Sequence, residues 1–150
     1  MARLMCENRF ILTRKLHREY YRERYMRLRF RQLFYPGYRF REWVNYRQLV
    51  ADHGEAVVNI VRFYPVNVQV QVNSTSFWFK YDTIHSAFET EELIVLELER
   101  SGMAGHVQLL YKNGFREMEE AAFKRFINEK TGREIFAPED EDGERSGKSG

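Results

Sequence analysis

Cysteine is almost missing from this chain. Cys6 is the single one in 150 residues, so no intramolecular disulfide can form. A bridge-stapled secreted scaffold is therefore not expected, and a reducing compartment fits better. No run of the ~20 apolar residues needed to span a bilayer occurs, and the N-terminus carries charges where a signal peptide needs its apolar stretch. The nine glycines are scattered or sit in the tail, which leaves no Gly-rich phosphate loop. Histidine is sparse too. His17, His53, His85 and His106 never fall three or four residues apart, and one thiol cannot make a cluster, so no metal site is expected. Asp82 and His85 are near neighbours, but no Ser elbow or other activated nucleophile accompanies them. They read as a turn Asp and a strand-edge His. The acidic turn Glu89, Glu91 and Glu92 reads as a solvated hairpin end. An enzyme is the least expected class, and no cofactor is implied.

What is abundant is aromatic and charged. Twelve Phe, nine Tyr and two Trp exclude disorder for the bulk of the chain. The net charge of +2 conceals a division, because residues 1–47 hold 13 Lys/Arg against 4 acids (+9) and residues 48–150 hold 11 against 18 (−7). Twelve of those 13 cations are Arg. Such a block addresses something anionic: a membrane surface, a nucleic acid, or the protein's own acidic part.

Along the chain, Arg9–Thr13 is short and apolar enough for a strand, and Thr13 suits an N-cap. From Arg14 to Phe34 no Pro or Gly interrupts, which predicts a helix. Leu12, Leu16 and Tyr20 share one line of it, with Tyr21, Tyr25 and Leu28 on the next. Pro36-Gly37 is expected to break it, and Phe40, Trp43, Val44, Arg47 and Val50 mark a second helix from Tyr38 to His53. From Ala56 the period becomes two. Val66, Val68, Val70 and Val72 alternate with Asn67, Gln69 and Gln71, and Phe77, Phe79 and Tyr81 with Trp78 and Lys80. Ile84–Glu89, Leu93–Glu99 and Val107–Tyr111 continue the series, separated by turn residues. Met118, Ala121, Ala122, Phe123, Phe126 and Ile127 form the stripe of a last helix over 117–130, stopped by Gly132. The tail after Pro138 has no apolar residues and is expected to be disordered. The class is therefore α+β: a bent antiparallel sheet of about six or seven strands closed by a C-terminal helix. Residues 1–54 make a strand and a basic two-helix arm, 55–136 the sheet domain and 137–150 the tail.

The stretches FYPVNVQVQ, KYDTIHSAFETEELIVLEL and LYKNGFREMEEAAFKRFINEK resemble the C-terminal domain of the YcxB-like family of bacterial membrane-associated proteins. Phe63-Tyr64, Tyr81-Asp82-x-Ile84, Glu89-Thr90-Glu91, Lys112-x-Gly114-Phe115 and Phe123-x-x-Phe126-Ile127 carry the likeness. NRFILTRKLHREYYRERYMRLR resembles that family's front segment. The resemblance implies a pleckstrin-homology-like fold and a place on the cytoplasmic face of the membrane. That family inserts two transmembrane helices where this chain has RLRFRQLFYPGYRFRE, with Arg on both sides of Pro36-Gly37.

The expected function is a non-enzymatic binding or scaffold module, peripheral to the inner face of the membrane. Arg22, Arg24, Arg27, Arg29, Arg31, Arg39 and Arg41 would make the anionic-surface or partner contact. The alternative is homo-oligomerisation through Leu28, Phe30, Leu33, Phe34 and Trp43. Binding of RNA or single-stranded DNA ranks third, since no recognised motif accompanies the charge.

Overall fold

A computed structural model describes residues 3–26, 35–53, 56–100 and 103–137. The elements run β1 (Cys6–Ile11), α1 (Arg14–Met26), α2 (Tyr35–His53), β2 (Val58–Phe63), β3 (Asn67–Val72), β4 (Thr75–Lys80), a 3-10 turn (Tyr81–Thr83), β5 (Ile84–Glu89), β6 (Leu93–Arg100), β7 (Met103–Tyr111), β8 (Phe115–Arg116) and α3 (Glu120–Thr131). The chain is α+β. All strand pairs are antiparallel, in a five-stranded sheet ordered β4-β3-β2-β1-β8 and a three-stranded sheet ordered β5-β6-β7. The expected α+β class, antiparallel strands and closing helix are met, while the bent sheet of about six or seven strands is, among the described residues, eight strands in two sheets.

The added members are β1 and β8. β1 pairs with β2 from Cys6↔Phe63 to Ile11↔Val58, and its other edge takes β8 at Glu7↔Arg116. The buried Asn8 side chain then acts as a peptide group, donating to Tyr111 O at 2.9 Å and accepting from Tyr111 N at 3.0 Å. That amide joins the two sheets. Gly114 is required beside it, because a Cβ there would lie 2.5 Å from Arg9 O. The strand expected in residues 1–54 is β1, and it lies inside the five-stranded sheet between β2 and β8.

Two apolar cores result. One gathers Val61, Phe63, Val68, Val70, Ile94, Leu96 and Leu110 under Phe123 and Ile127 of α3, with the Phe63 and Phe123 rings 4.9 Å apart. The other gathers Phe10, Val57, Phe88, Leu93 and Val95 under Leu12, Leu16 and Tyr20, the line of side chains expected along α1. Strand β6 feeds both, with Ile94, Leu96 and Leu98 on one face and Leu93 and Val95 on the other. A strand buried on both faces reads as an almost unbroken apolar run, as LIVLEL does.

Several local expectations are met. Thr13 Oγ1 accepts from Leu16 N at 3.3 Å at the start of α1, and Gly132 closes α3 in the left-handed conformation at φ 69°. Asn73, at φ 53°, turns β3 into β4 while its amide ties back to Val58 N and Ala56 O. Others move. α3 begins at Glu120, because Glu117 adopts φ 75° and Glu119 is extended. α2 begins at Tyr35, so Pro36-Gly37 lies in its first turn, where a missing N–H needs no partner. The predicted extension of α1 to Phe34, the turn at Ser101-Gly102 and the tail from Pro138 lie outside the described residues. Among the described residues, no helix is long and apolar enough to cross a membrane.

Two predictions follow from this packing. Cys6 is fully buried, and that burial, aided by the charges of Glu117 and Glu7, pushes its thiol up to about 12. A disulfide reagent at neutral pH should therefore label native protein slowly and unfolded protein at once; equal rates would show Cys6 to be accessible. Glu89 joins α3 to the sheets, accepting from Lys124 and Lys112, each at 3.0 Å. Burial alone would raise its carboxyl, but the two ammonium groups outweigh that and hold it below its ordinary 4.5. A depressed carboxylate contributes stability above pH 4.5 that is lost as pH falls through the lower folded value. Urea midpoints of Glu89→Gln should accordingly fall less below pH 4.5 than those of the parent chain.

Candidate functional site

α1 has two working faces. Leu16 and Tyr20 serve the sheet, and the neighbouring His17 meets α2. The contact between the helices is polar at its centre. His17 and Glu42 are each only 2% exposed, and His17 Nδ1 donates to Glu42 Oε2 at 2.9 Å. His17 Nε2 lies 3.0 Å from Asn45 Oδ1, and the ring is flanked by Tyr21 at 4.9 Å and Tyr46 at 5.3 Å. Glu42 Oε1 also receives Arg14 at 3.4 Å and Arg18 at 3.7 Å. One buried carboxylate thus gathers a buried imidazole and two guanidinium groups, of which Arg14 is partly and Arg18 largely exposed.

Two of the other three acids in residues 1–47, Glu7 and Glu19, are likewise engaged internally. Glu7 is buried and paired with Arg62 at 3.4 Å and Arg9 at 3.1 Å. Glu19 accepts from the Thr90 hydroxyl and from Glu92 N, pinning α1 to the turn between β5 and β6. That turn was expected to be a solvated end. Instead Glu89 meets two lysines, and Glu92 pairs with Lys15 at 3.0 Å.

The cations named from sequence divide into three groups. Arg22 and Arg41 are exposed, and among the described residues no carboxylate is paired with either. Arg24 is half-buried and donates to the Tyr20 hydroxyl at 3.1 Å. Arg39 falls in α2, while Arg27, Arg29 and Arg31 lie outside the described residues. So do Leu28, Phe30, Leu33 and Phe34 of the expected oligomer contact; Trp43, its remaining member, is exposed on α2.

α2 is mounted with its polar side inward. Glu42, Asn45, Tyr46 and Leu49 face the protein, while Phe40, Trp43, Val44 and Arg47, spaced three and four apart, face out. Arg47 lies over the Trp43 ring, its guanidinium carbon 4.9 Å from the centroid. The spacing of this stripe is legible in the sequence, while its direction is set by the contact with α1. Glu42, the one acid in YRFREWVNYR, was the available signal: a carboxylate among cations in a helix facing another basic helix marks the inward side.

Elsewhere the surface offers less. A cavity of about 310 Å³ opens between the end of β1, the first turn of α1 and Asn113, but its cations Arg9 and Lys15 are held by Glu7 and Glu92. His85 is exposed 4.0 Å from an exposed Glu99 and has no nucleophile beside it among the described residues. Nor do three or more His, Cys, Asp or Glu side chains converge among those residues. In comparison with known proteins, no family model, curated protein or solved structure matches this chain.

The polar clamp makes its own prediction. Glu42→Leu leaves the buried His17 ring without its acceptor and Arg14 without its partner, a loss of ~1–3 kcal/mol for stranding a buried hydrogen-bonding group. Hydrogen exchange should then speed up across α2 before it does so in β6; uniform loss across the fold would show that the clamp does not specifically hold α2.

Proposed function

We propose that this chain is a non-enzymatic binding module that sits on an anionic membrane surface through the basic face of α1 and α2. The observation that carries this reading is the sorting of charge. Three of the four acids in residues 1–47, Glu7, Glu19 and Glu42, are spent on internal partners, while Arg22 and Arg41 are exposed. An excess of cations left on one surface attracts anionic headgroups at ~1 kcal/mol per residue, and the attraction fades with salt. The mixture of Arg with Tyr and Trp suits the headgroup zone of a bilayer, where both partition.

The resemblance to the YcxB-like family supports the same reading. It supplies a pleckstrin-homology-like arrangement, with which two antiparallel sheets and a C-terminal helix agree in outline, and a place on the cytoplasmic face of a bacterial membrane. Arg22, Arg24, Arg27, Arg29, Arg31, Arg39 and Arg41 are the proposed contact set.

Co-sedimentation with vesicles tests the reading. At low salt the protein should pellet with phosphatidylcholine vesicles containing phosphatidylglycerol and stay in solution with phosphatidylcholine alone. The double variant Arg22→Glu, Arg41→Glu should weaken binding by roughly an order of magnitude or more. Equal binding to neutral vesicles, or none to anionic ones, would reject it.

A further inference from the structure

The outward face of α2 is the feature that charge alone does not account for. A helix packed on a protein normally turns its apolar stripe inward. Here Phe40 is 66%, Trp43 39% and Val44 44% exposed, with the Phe40 and Trp43 rings 6.2 Å apart. The side turned inward carries Glu42, which His17, Arg14 and Arg18 hold in place. The clamp thereby fixes the direction of the apolar stripe, because rotating it inward would carry the carboxylate into solvent and break its contacts. We infer that α2 lies in the plane of the bilayer as an interfacial anchor, with Phe40, Trp43 and Val44 inserted at the boundary between headgroups and acyl chains. This rests on the membrane reading above and extends it from attraction at the surface to insertion.

Charge chooses the occupant. Arg41 and Arg47 are exposed beside the apolar side chains, and Glu42, the only acid between Phe40 and Arg47, is buried. A stripe of aromatic and branched side chains edged by arginine matches the lipid interface. Phosphates receive the guanidinium groups while the rings pass beneath them. Arg47 over Trp43 already holds that pairing, with charge on top and ring below. A second copy of the chain fits less well. The three side chains expose roughly 300 Å², well under half of the ~800 Å² per partner that a standard interface buries, and a dimer face here would also have to cover the arginines beside them.

Trp43 reports on its own insertion once the other tryptophan, Trp78, is replaced. In the Trp78→Phe chain, anionic phosphatidylglycerol-containing vesicles should shift the emission of Trp43 to the blue, and lipids brominated on the acyl chain should quench it. Phe40→Ser combined with Trp43→Ser should weaken vesicle binding about tenfold in the otherwise unaltered chain, with its thermal midpoint unchanged because both side chains are exposed. Vesicle binding with Trp43 emission unmoved and unquenched would overturn insertion while leaving surface attraction standing. Absence of binding to anionic vesicles at low salt would remove the membrane reading and the insertion together. A blue shift without lipid that rises with protein concentration, alongside a dimer mass in light scattering, would assign the stripe to a second copy and overturn the inference.

Discussion

A strand that is apolar on both faces needs a cover on each, and β6 is such a strand. Ile94, Leu96 and Leu98 are closed off by the core beneath α3, while Leu93 and Val95 require a second layer. α1 supplies it through Leu12, Leu16 and Tyr20. At about 25 cal/mol per Å² of apolar surface removed from water, burial on both sides of one strand is what draws the front of the chain onto the sheets. β1 goes with it, because the strand leading into α1 arrives beside β2 and completes the ladder from Cys6↔Phe63 to Ile11↔Val58.

With its apolar line committed to the sheet, α1 has a polar side left for α2. That side presents His17, Arg14 and Arg18, and Glu42 is the group that answers all three. A carboxylate so placed is costly to expose or to leave alone, which sets the rotation of α2 about its axis. The outward position of Phe40, Trp43 and Val44 is a consequence of that polar contact. Three of the four front acids, Glu7, Glu19 and Glu42, are engaged inside, so cations outnumber acids on the surface that remains. Stability and the proposed membrane contact therefore depend on the same few carboxylates.

Much of this was legible along the chain. The period of two in NVQVQV, the cap at Thr13, the stop at Gly132 and the line Leu12, Leu16 and Tyr20 are local patterns, and local patterns survive folding because backbone geometry imposes them. What could not be read is long-range. Asn8 is 103 residues from Tyr111, and nothing near either residue announces that a buried amide will bridge them. The way the two sheets are joined follows from that bridge and from the placement of β1. Likewise, the stripe on α2 was visible by spacing, but whether it faces core or solvent depends on a partner 25 residues away.

By itself the sequence determined the class of element almost everywhere, the absence of any intramolecular disulfide, and a charge division of +9 against −7. These follow from composition and from periodicities of a few residues. Only the tertiary structure decided which charges are spent. Glu42 and Arg41 are adjacent and look alike on paper as members of an Arg-rich helix, yet one is buried against His17 and the other is in water. The reason is that a helix has one side for each neighbour, and which side meets which is settled by packing between segments far apart in the chain.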